Sequence, residues 1–262
     1  MLCEIQKHLP GHPWQDKIQY FDTIDSTNTY AKGLAADGAP EGTVVIADHQ
    51  TGGRGRLGRS FSSPAGMGLY LSVILRPNCL PEELMHLTCA AGVAASDAVA
   101  AVTDRCPGIK WTNDLVLGKR KLGGILTELS VDPNSRKVEW AVIGIGINCC
   151  QQTEDFPPDI RDIAVSLGLS PTARSQLAAA LIETLFTMNC YIFTQKAEIM
   201  EQFRSRCVTV KQEISILRGE EVRHGKAIGV DDEGALLVQY PDGSIGIVSS
   251  GEVSIRGMYG YL

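Results

Sequence analysis

Residues 51–66 read TGGRGRLGRSFSSPAG, three arginines among glycines with no acidic residue in the run. Within it, Gly53-x-Gly55-x-x-Gly58 is also the spelling of a dinucleotide-binding turn. That reading requires a strand before the glycines and a helix beginning on them. GTVVIADHQ at 42–50 supplies the strand. The helix is missing, because RSFSSPAGMG is rich in turn residues and runs into LYLSVIL at 69–75, a second strand. No acidic residue stands about twenty positions on to hold a ribose hydroxyl; Arg76-Pro77 is there instead. No GxxxxGK[ST] occurs, so a P-loop is excluded as well. The arginine loop thus joins two strands of one sheet and does not open a doubly wound nucleotide fold. Arg54, Arg56 and Arg59 repel one another and gain by binding an anion, and guanidinium forks suit carboxylate and phosphate oxygens. Glycine spacers predict a mobile lid that orders on that anion.

Outward from the loop, Asp25-Ser26-Thr27-Asn28 offers N-caps for a short helix, TYAKGLAA. Pro81-Glu82-Glu83 opens a long helix to about Val102. LVL, KLGGILTEL and VEWAVIGIGIN read as strands. Ser170-Pro171 caps a further helix in which Leu177, Leu181, Leu185, Met188 and Ile192 recur at helical spacing, a core stripe. From Val208 the composition shifts to short strands split by turns: EISIL, VRHGKAIGV, ALLVQY, SIGIV and EVSIR. The expected architecture is an α+β main domain, residues 1–208, with a central mixed sheet packed with helices, followed by a small β domain, residues 209–262.

The chain has 262 residues and a formal charge of −6, with 44% apolar and 21% charged residues. That is ordinary globular composition, and the negative total argues against non-specific nucleic-acid binding. One short arginine-glycine stretch without an aromatic platform is a weak RNA-binding signal. Cysteines 3, 79, 89, 106, 149, 150, 190 and 207 show no CxxC spacing, and MLCEIQKHLPGH lacks the order of a signal peptide. These features fit a reducing cytoplasm. The longest uncharged run, Ser60–Leu75, is too short and too rich in Ser and Gly to span a bilayer, and no membrane segment is expected.

A second cationic segment is Lys110-Trp111-Thr112-Asn113-Asp114, followed by Lys119-Arg120-Lys121 and the strand that Lys121 precedes. A lysine at a sheet lip is either a snorkelling surface residue or an active-site charge. In GIGIN, 144–148, two glycines within a strand imply close approach by a ligand or a packing requirement. Trp111 reads as packing, and His49, Cys149 and Cys150 receive no chemical role.

Together DSTN at 25–28, Q-x-x-GRGRLGR at 50–59, KWTND at 110–114, KLGGIL at 121–126 and GIGIN at 144–148 resemble the biotin protein ligase family, in its order and across nearly the whole chain. GEVSIR at 251–256 is a weaker match; Thr112 and Leu57 are mild departures. The resemblance implies a class II synthetase-like catalytic domain with an SH3-like C-terminal barrel. It implies ATP-dependent activation of biotin to biotinyl-5′-AMP and transfer to a lysine of a biotin carboxyl carrier domain, with Mg²⁺ and no tightly bound prosthetic group. About twenty residues precede IQYFDTI, too few for the DNA-binding module of repressor-type members, so no repressor activity, no nucleic acid and no membrane partner are expected. A monomer or a homodimer is compatible.

By the same resemblance Ser26, Thr27, Asn28 and Gln50 line the biotin end. Arg54, Gly55 and Arg56 lie over carboxylate and phosphate, and Gly53 and Arg59 lie on the ATP side. Phe61 faces adenine, Asn113 and Asn148 contact the adenylate, and Gly124, Gly144 and Gly146 admit ligand to the backbone. Lys121 donates to the carboxylate. Asp114 assists Mg²⁺ or takes the proton of the incoming amine. The nearest alternative is a lipoate-protein ligase, which shares the adenylation chemistry.

Overall fold

Apolar runs bounded by turns build the central sheet of the computed structural model, which describes residues 1–249 and the backbone of 254–257. Its strands are β1 (Ile18–Ile24), β2 (Val44–Gln50), β3 (Gly68–Leu75), β4 (Gly108–Lys110), β5 (Asp114–Leu117), β6 (Arg120–Val131) and β7 (Val138–Asn148). Their spatial order is β1-β2-β3-β7-β6-β5-β4. Only β1 and β2 run parallel within this sheet, so it is mixed, as expected.

The helices are α1 (Leu2–Lys7), α2 (Thr27–Ala36), α3 (Leu87–Val102), α4 (Pro171–Tyr191) and α5 (Lys196–Arg206). Side chains alternate across a strand, so each run serves two faces. Leu71 and Val73 of β3 and Ile143 and Ile145 of β7 belong to one large core with residues of α3 and α4. The opposite parity, Ile74 and Val142, packs with Ala31 and Ala35 of α2. The stripe Leu177, Leu181, Leu185, Met188 and Ile192 is buried throughout. Segment 81–102 is long and apolar enough to cross a membrane by length and composition, but 67% of its apolar window is buried inside the fold. The helix expected from Pro81 is divided: Pro81–Leu84 form a 3-10 turn, and α3 begins at Leu87 as a core helix whose small residues allow close packing.

The C-terminal strands β8 (Glu213–Arg218), β9 (Glu221–Val230), β10 (Leu236–Gln239), β11 (Ile245–Val248) and β12 (Ser254–Gly257) form a separate antiparallel sheet, ordered β11-β10-β9-β8-β12. Gly251–Val253 of the GEVSIR match lie outside the described residues. The turn before β10 is tied to the main body: the Trp111 indole N–H donates to the Gly234 carbonyl at 2.9 Å, and Arg204 pairs with Asp232 at 2.8 Å.

Candidate active site

A cavity of about 490 Å³ opens on the α2 face of the central sheet. The β register fixes its floor. Tyr70 and Ser72 stand opposite Gly146 and Gly144, which in turn stand opposite Gly124 and Leu126. Four separate segments close around this floor: the start of α2, the arginine loop, residues 110–114 and the start of β6.

At one end the N-terminus of α2 is set by its cap, with Ser26 Oγ accepting from the Thr29 N–H. The Thr27 N–H and hydroxyl both donate to Gln50 Oε1, at 2.9 and 3.0 Å. Gln50 Nε2 donates to Ser63 Oγ at 2.8 Å. Asn28 donates to the Leu126 carbonyl and to Glu128 Oε2, and its own Oδ1 lies 2.6 Å from Ser72 Oγ. Lys32 pairs with the other Glu128 oxygen at 2.6 Å. Burial raises the Glu128 pKa, but hydrogen bonds from Lys32 and Asn28 and the charges of Lys32 and Arg54 outweigh it and hold the carboxyl below the usual range. Donors and acceptors are thus fixed before any ligand is considered. Ser26, Thr27, Asn28 and Gln50 all line the cavity as expected.

The arginine loop folds into a small hairpin: Gly55 N–H donates to Arg59 O at 2.7 Å, Phe61 N–H to Gly53 O at 2.9 Å, and Arg54 bridges Ser60. Leu57 adopts a left-handed φ of 56° at the tip, a conformation that costs a non-glycine residue about 1–2 kcal/mol. Arg54, Gly55, Arg56 and Arg59 line the cavity, and Arg56 donates to Asn113 Oδ1 at 3.1 Å. Burial lowers the Arg56 pKa, Asp114 opposes that fall, and Arg59 adds to it.

Lys121 also faces the cavity. Its backbone is held by the segment after β7, with Lys121 N–H to Ile163 O at 2.7 Å and Val165 N–H to Lys121 O at 2.8 Å. Its Nζ lies 2.7 Å from Asp114 Oδ1. Asp114 is the one carboxylate among the described residues lining this cavity, and among the described residues no group of three or more His, Cys, Asp or Glu is placed to hold a metal ion. One carboxylate suits an ion that arrives with substrate phosphates rather than an all-protein metal cage. No acidic residue neighbours Arg56 in sequence, yet the fold brings Asp114 close enough to act on it.

The glycines divide by what a methyl group would meet. At Gly144 it would run into the Asn28 amide, and at Gly146 into the Phe61 ring. Both glycines line the cavity, and their bare faces are filled by the side chains of Asn28 and Phe61. At Gly124 a methyl would meet only Lys121 Nζ and Asp114 Oδ1, at 3.6 and 3.7 Å, so its bare face borders the cavity. Gly53 does not line the cavity; a methyl there would strike the Phe61 carbonyl and Ser63. Phe61 lines the cavity with its ring against Gly146 and edge-on to Tyr70, an anchor for the loop. Asn148 is not among the cavity-lining residues; it is buried, donating to Val165 O at 3.1 Å and accepting from Gln151 at 3.3 Å. Sequence reasoning assigned no role to Lys110, Tyr70, Leu126 or Ile163, all of which line the cavity. Lys110 carried a signal in its cationic segment; Ile163 carried none, since it is brought in by long-range pairing.

Residues 20–148 match the family model described as Biotin/lipoate A/B protein ligase family, and residues 212–256 that described as Biotin protein ligase C terminal domain. The bifunctional ligase/repressor BirA of Bacillus spizizenii is 36% identical, covering 92% of this chain and 74% of its own length. The biotin–[acetyl-CoA-carboxylase] ligase of Mycobacterium tuberculosis is 33% identical, covering 93% and 90%. The chain belongs to the biotin protein ligase family. Among solved structures, a biotin protein ligase from Aquifex aeolicus in complex with biotin and ATP is similar with a TM-score of 0.76 and 29% identity, over 92% of this chain and 98% of that one. The biotin protein ligase of Leishmania major in complex with biotinyl-5-AMP gives 0.58 and 28%, over 89% and 98%. This chain is therefore a ligase by family and by fold.

Proposed function

We propose that this ligase activates biotin with MgATP, forming biotinyl-5′-AMP and pyrophosphate, and then transfers the biotinyl group to a lysine of a biotin carboxyl carrier domain. One observation carries the reading. Cationic side chains from three separate segments (Arg54, Arg56 and Arg59; Lys110; Lys121) share one cavity with the donor–acceptor array of residues 26–28 and 50. The first step brings a carboxylate onto a triphosphate, and two anions react only where fixed positive groups offset their repulsion.

In this reading the polar ring of biotin exchanges hydrogen bonds with Ser26, Thr27, Asn28 and Gln50, and its carboxylate lies over the bare face of Gly124 against Lys121. The carboxylate oxygen attacks the α-phosphorus, and the bond to the bridging oxygen breaks to release pyrophosphate. Arg54, Arg56 and Arg59 face the phosphates, and Asn113, bonded to Arg56, sits beside them. Mg²⁺ enters as part of the ATP complex, because a single cavity carboxylate leaves the ion to phosphate oxygens and water. The carrier lysine first gives up a proton to solvent or to Asp114; the neutral amine then attacks the carbonyl carbon while Lys121 donates to the carbonyl oxygen, and AMP leaves as the nitrogen loses its remaining extra proton to solvent. The hairpin over the cavity limits access of water to the mixed anhydride. Residues 1–208 form the catalytic unit in this proposal, and 209–262 the smaller β unit.

The family model covers lipoate ligases as well, so the acid is the point to test. The purified protein is incubated with MgATP, a biotin carboxyl carrier domain and either biotin or lipoate, and the carrier is weighed by mass spectrometry. Addition of one biotinyl group, dependent on ATP, supports the proposal; lipoylation in its place overturns it.

A further inference from the structure

Asp114 makes an ion pair inside the cavity that neither metal binding nor proton abstraction requires. It is the one carboxylate among the described residues lining the cavity, and it stands where the cations converge. Strand pairing aligns Asp114 with Gly124, while a register shift between Leu115 and Val116 brings Lys121 opposite Val116. That irregularity lets the lysine of β6 reach diagonally back to Asp114 Oδ1 at 2.7 Å. The pair lies over Gly124, whose missing side chain leaves room beside both charged ends. The neighbouring Asn113 Oδ1 accepts from Arg56 at 3.1 Å, so adjacent residues of one turn hold the two cations from the two sides of the cavity. Asp114 also acts electrostatically on Arg56, whose charge is disfavoured by burial. Both side chains of the Lys121–Asp114 pair are partly exposed, 31% and 19%, so an external anion can reach them.

We infer that Asp114 is a resident counter-ion, which aims Lys121 at the reacting carboxylate and yields Lys121 to it when the acid binds. The inference rests on the adenylation chemistry proposed above. An incoming carboxylate or phosphate must displace Asp114 from Lys121 and then lie beside a like charge. Asp114 thus lowers the affinity of the cavity for anions while keeping its lysine in one orientation. It is a positioning residue, since it acts through Lys121. It also keeps the site from holding pyrophosphate and AMP too tightly after each step, because the internal carboxylate competes for the same lysine.

The test is isothermal calorimetry of wild type, Asp114→Asn and Asp114→Glu with two probes, biotin and inorganic pyrophosphate, alongside single-turnover adenylation. Circular dichroism melts confirm that each variant folds. Asp114→Asn removes the competing charge and is expected to bind both probes about fivefold more tightly, the upper end of what a partly exposed ion pair is worth. Its adenylation rate falls at the same time, because Lys121 loses its guide. Asp114→Glu keeps the charge and stays within about threefold of wild type.

A ligand to phosphate-borne Mg²⁺ predicts weaker binding of magnesium pyrophosphate by Asp114→Asn, and a merely structural residue predicts no tightening. Unchanged or weaker binding of pyrophosphate by Asp114→Asn overturns the inference, as does equal tightening by Asp114→Glu. If pyrophosphate tightens but biotin binds neither protein, the choice of biotin is wrong and the counter-ion role stands.

Discussion

Replacing Gly144 by alanine tests whether the strand glycine serves a side chain or a ligand. A methyl at that position would overlap the Asn28 side chain, with its Cγ at 2.6 Å and Nδ2 at 3.0 Å. Gly144 lies in a regular strand register opposite Ser72 and Leu126. Nothing in its backbone demands glycine, so alanine gains about 0.5–1 kcal/mol from the unfolded chain. Against that, Asn28 must leave its place and lose three contacts: with Ser72, with the Leu126 carbonyl and with the Glu128 carboxylate. Two neutral bonds at about 1 kcal/mol each and one charge-assisted bond at about 1.5–3 kcal/mol give a loss of about 3.5–5 kcal/mol. The net destabilisation is about 2.5–4.5 kcal/mol. In a domain of this size that lowers Tm by about 5–18 °C.

The assay is thermal unfolding followed by circular dichroism, with Gly124→Ala as the companion. A methyl at Gly124 meets only ordinary contacts, so its Tm should stay within about 2 °C of wild type while KM for the acid rises. Wild-type melting of Gly144→Ala would refute the packing argument. A large loss of stability in Gly124→Ala would refute the claim that its bare face is reserved for ligand.

Lys121→Ala should keep the fold, since the side chain is partly exposed, and should slow adenylation about 10²–10³-fold in single-turnover assays, the usual size of a lost charge donor. Glu128 has its pKa held down, so its contribution to stability is complete above the unfolded value and is lost as pH falls through the folded one. Glu128→Gln should therefore remove part of the acid-induced loss of stability below about pH 4, read as a flatter ΔG–pH curve than wild type. Burial pushes the Cys89 and Cys149 thiols up to about 12, so iodoacetamide at neutral pH should label the exposed Cys3, Cys106 and Cys190 and leave those two intact in peptide mass spectra. Trp111→Phe leaves the buried Gly234 carbonyl without its donor and should cost about 1–3 kcal/mol in denaturant unfolding.

The long strands were legible because their apolar runs are bounded by turn residues, and α4 because its stripe repeats at helical spacing. β4 has a single large apolar residue in three and carries no periodicity. In α5 only Met200 and Phe203 are buried, which leaves its polar majority unreadable as a core helix. For the site, residue types that announce chemistry were found: the arginines, Lys121, and the Ser-Thr-Asn cap. Spatial assignments were harder. Asn148 looked available but its amide is consumed by Val165 and Gln151. That Gly144 and Gly146 also make room for Asn28 and Phe61 depends on contacts between residues more than eighty positions apart. The ion pair between Lys121 and Asp114 depends on a register shift between strands, and no spacing rule predicts that.

The central claim is that fixed cations let a carboxylate attack ATP in this cavity. Acid-dependent exchange of labelled pyrophosphate into ATP measures that step alone, without a carrier. Biotin should drive exchange in the wild type, and Lys121→Ala or Arg56→Ala should abolish most of it while both remain folded. Exchange that proceeds without biotin, or that survives both substitutions, would contradict the account.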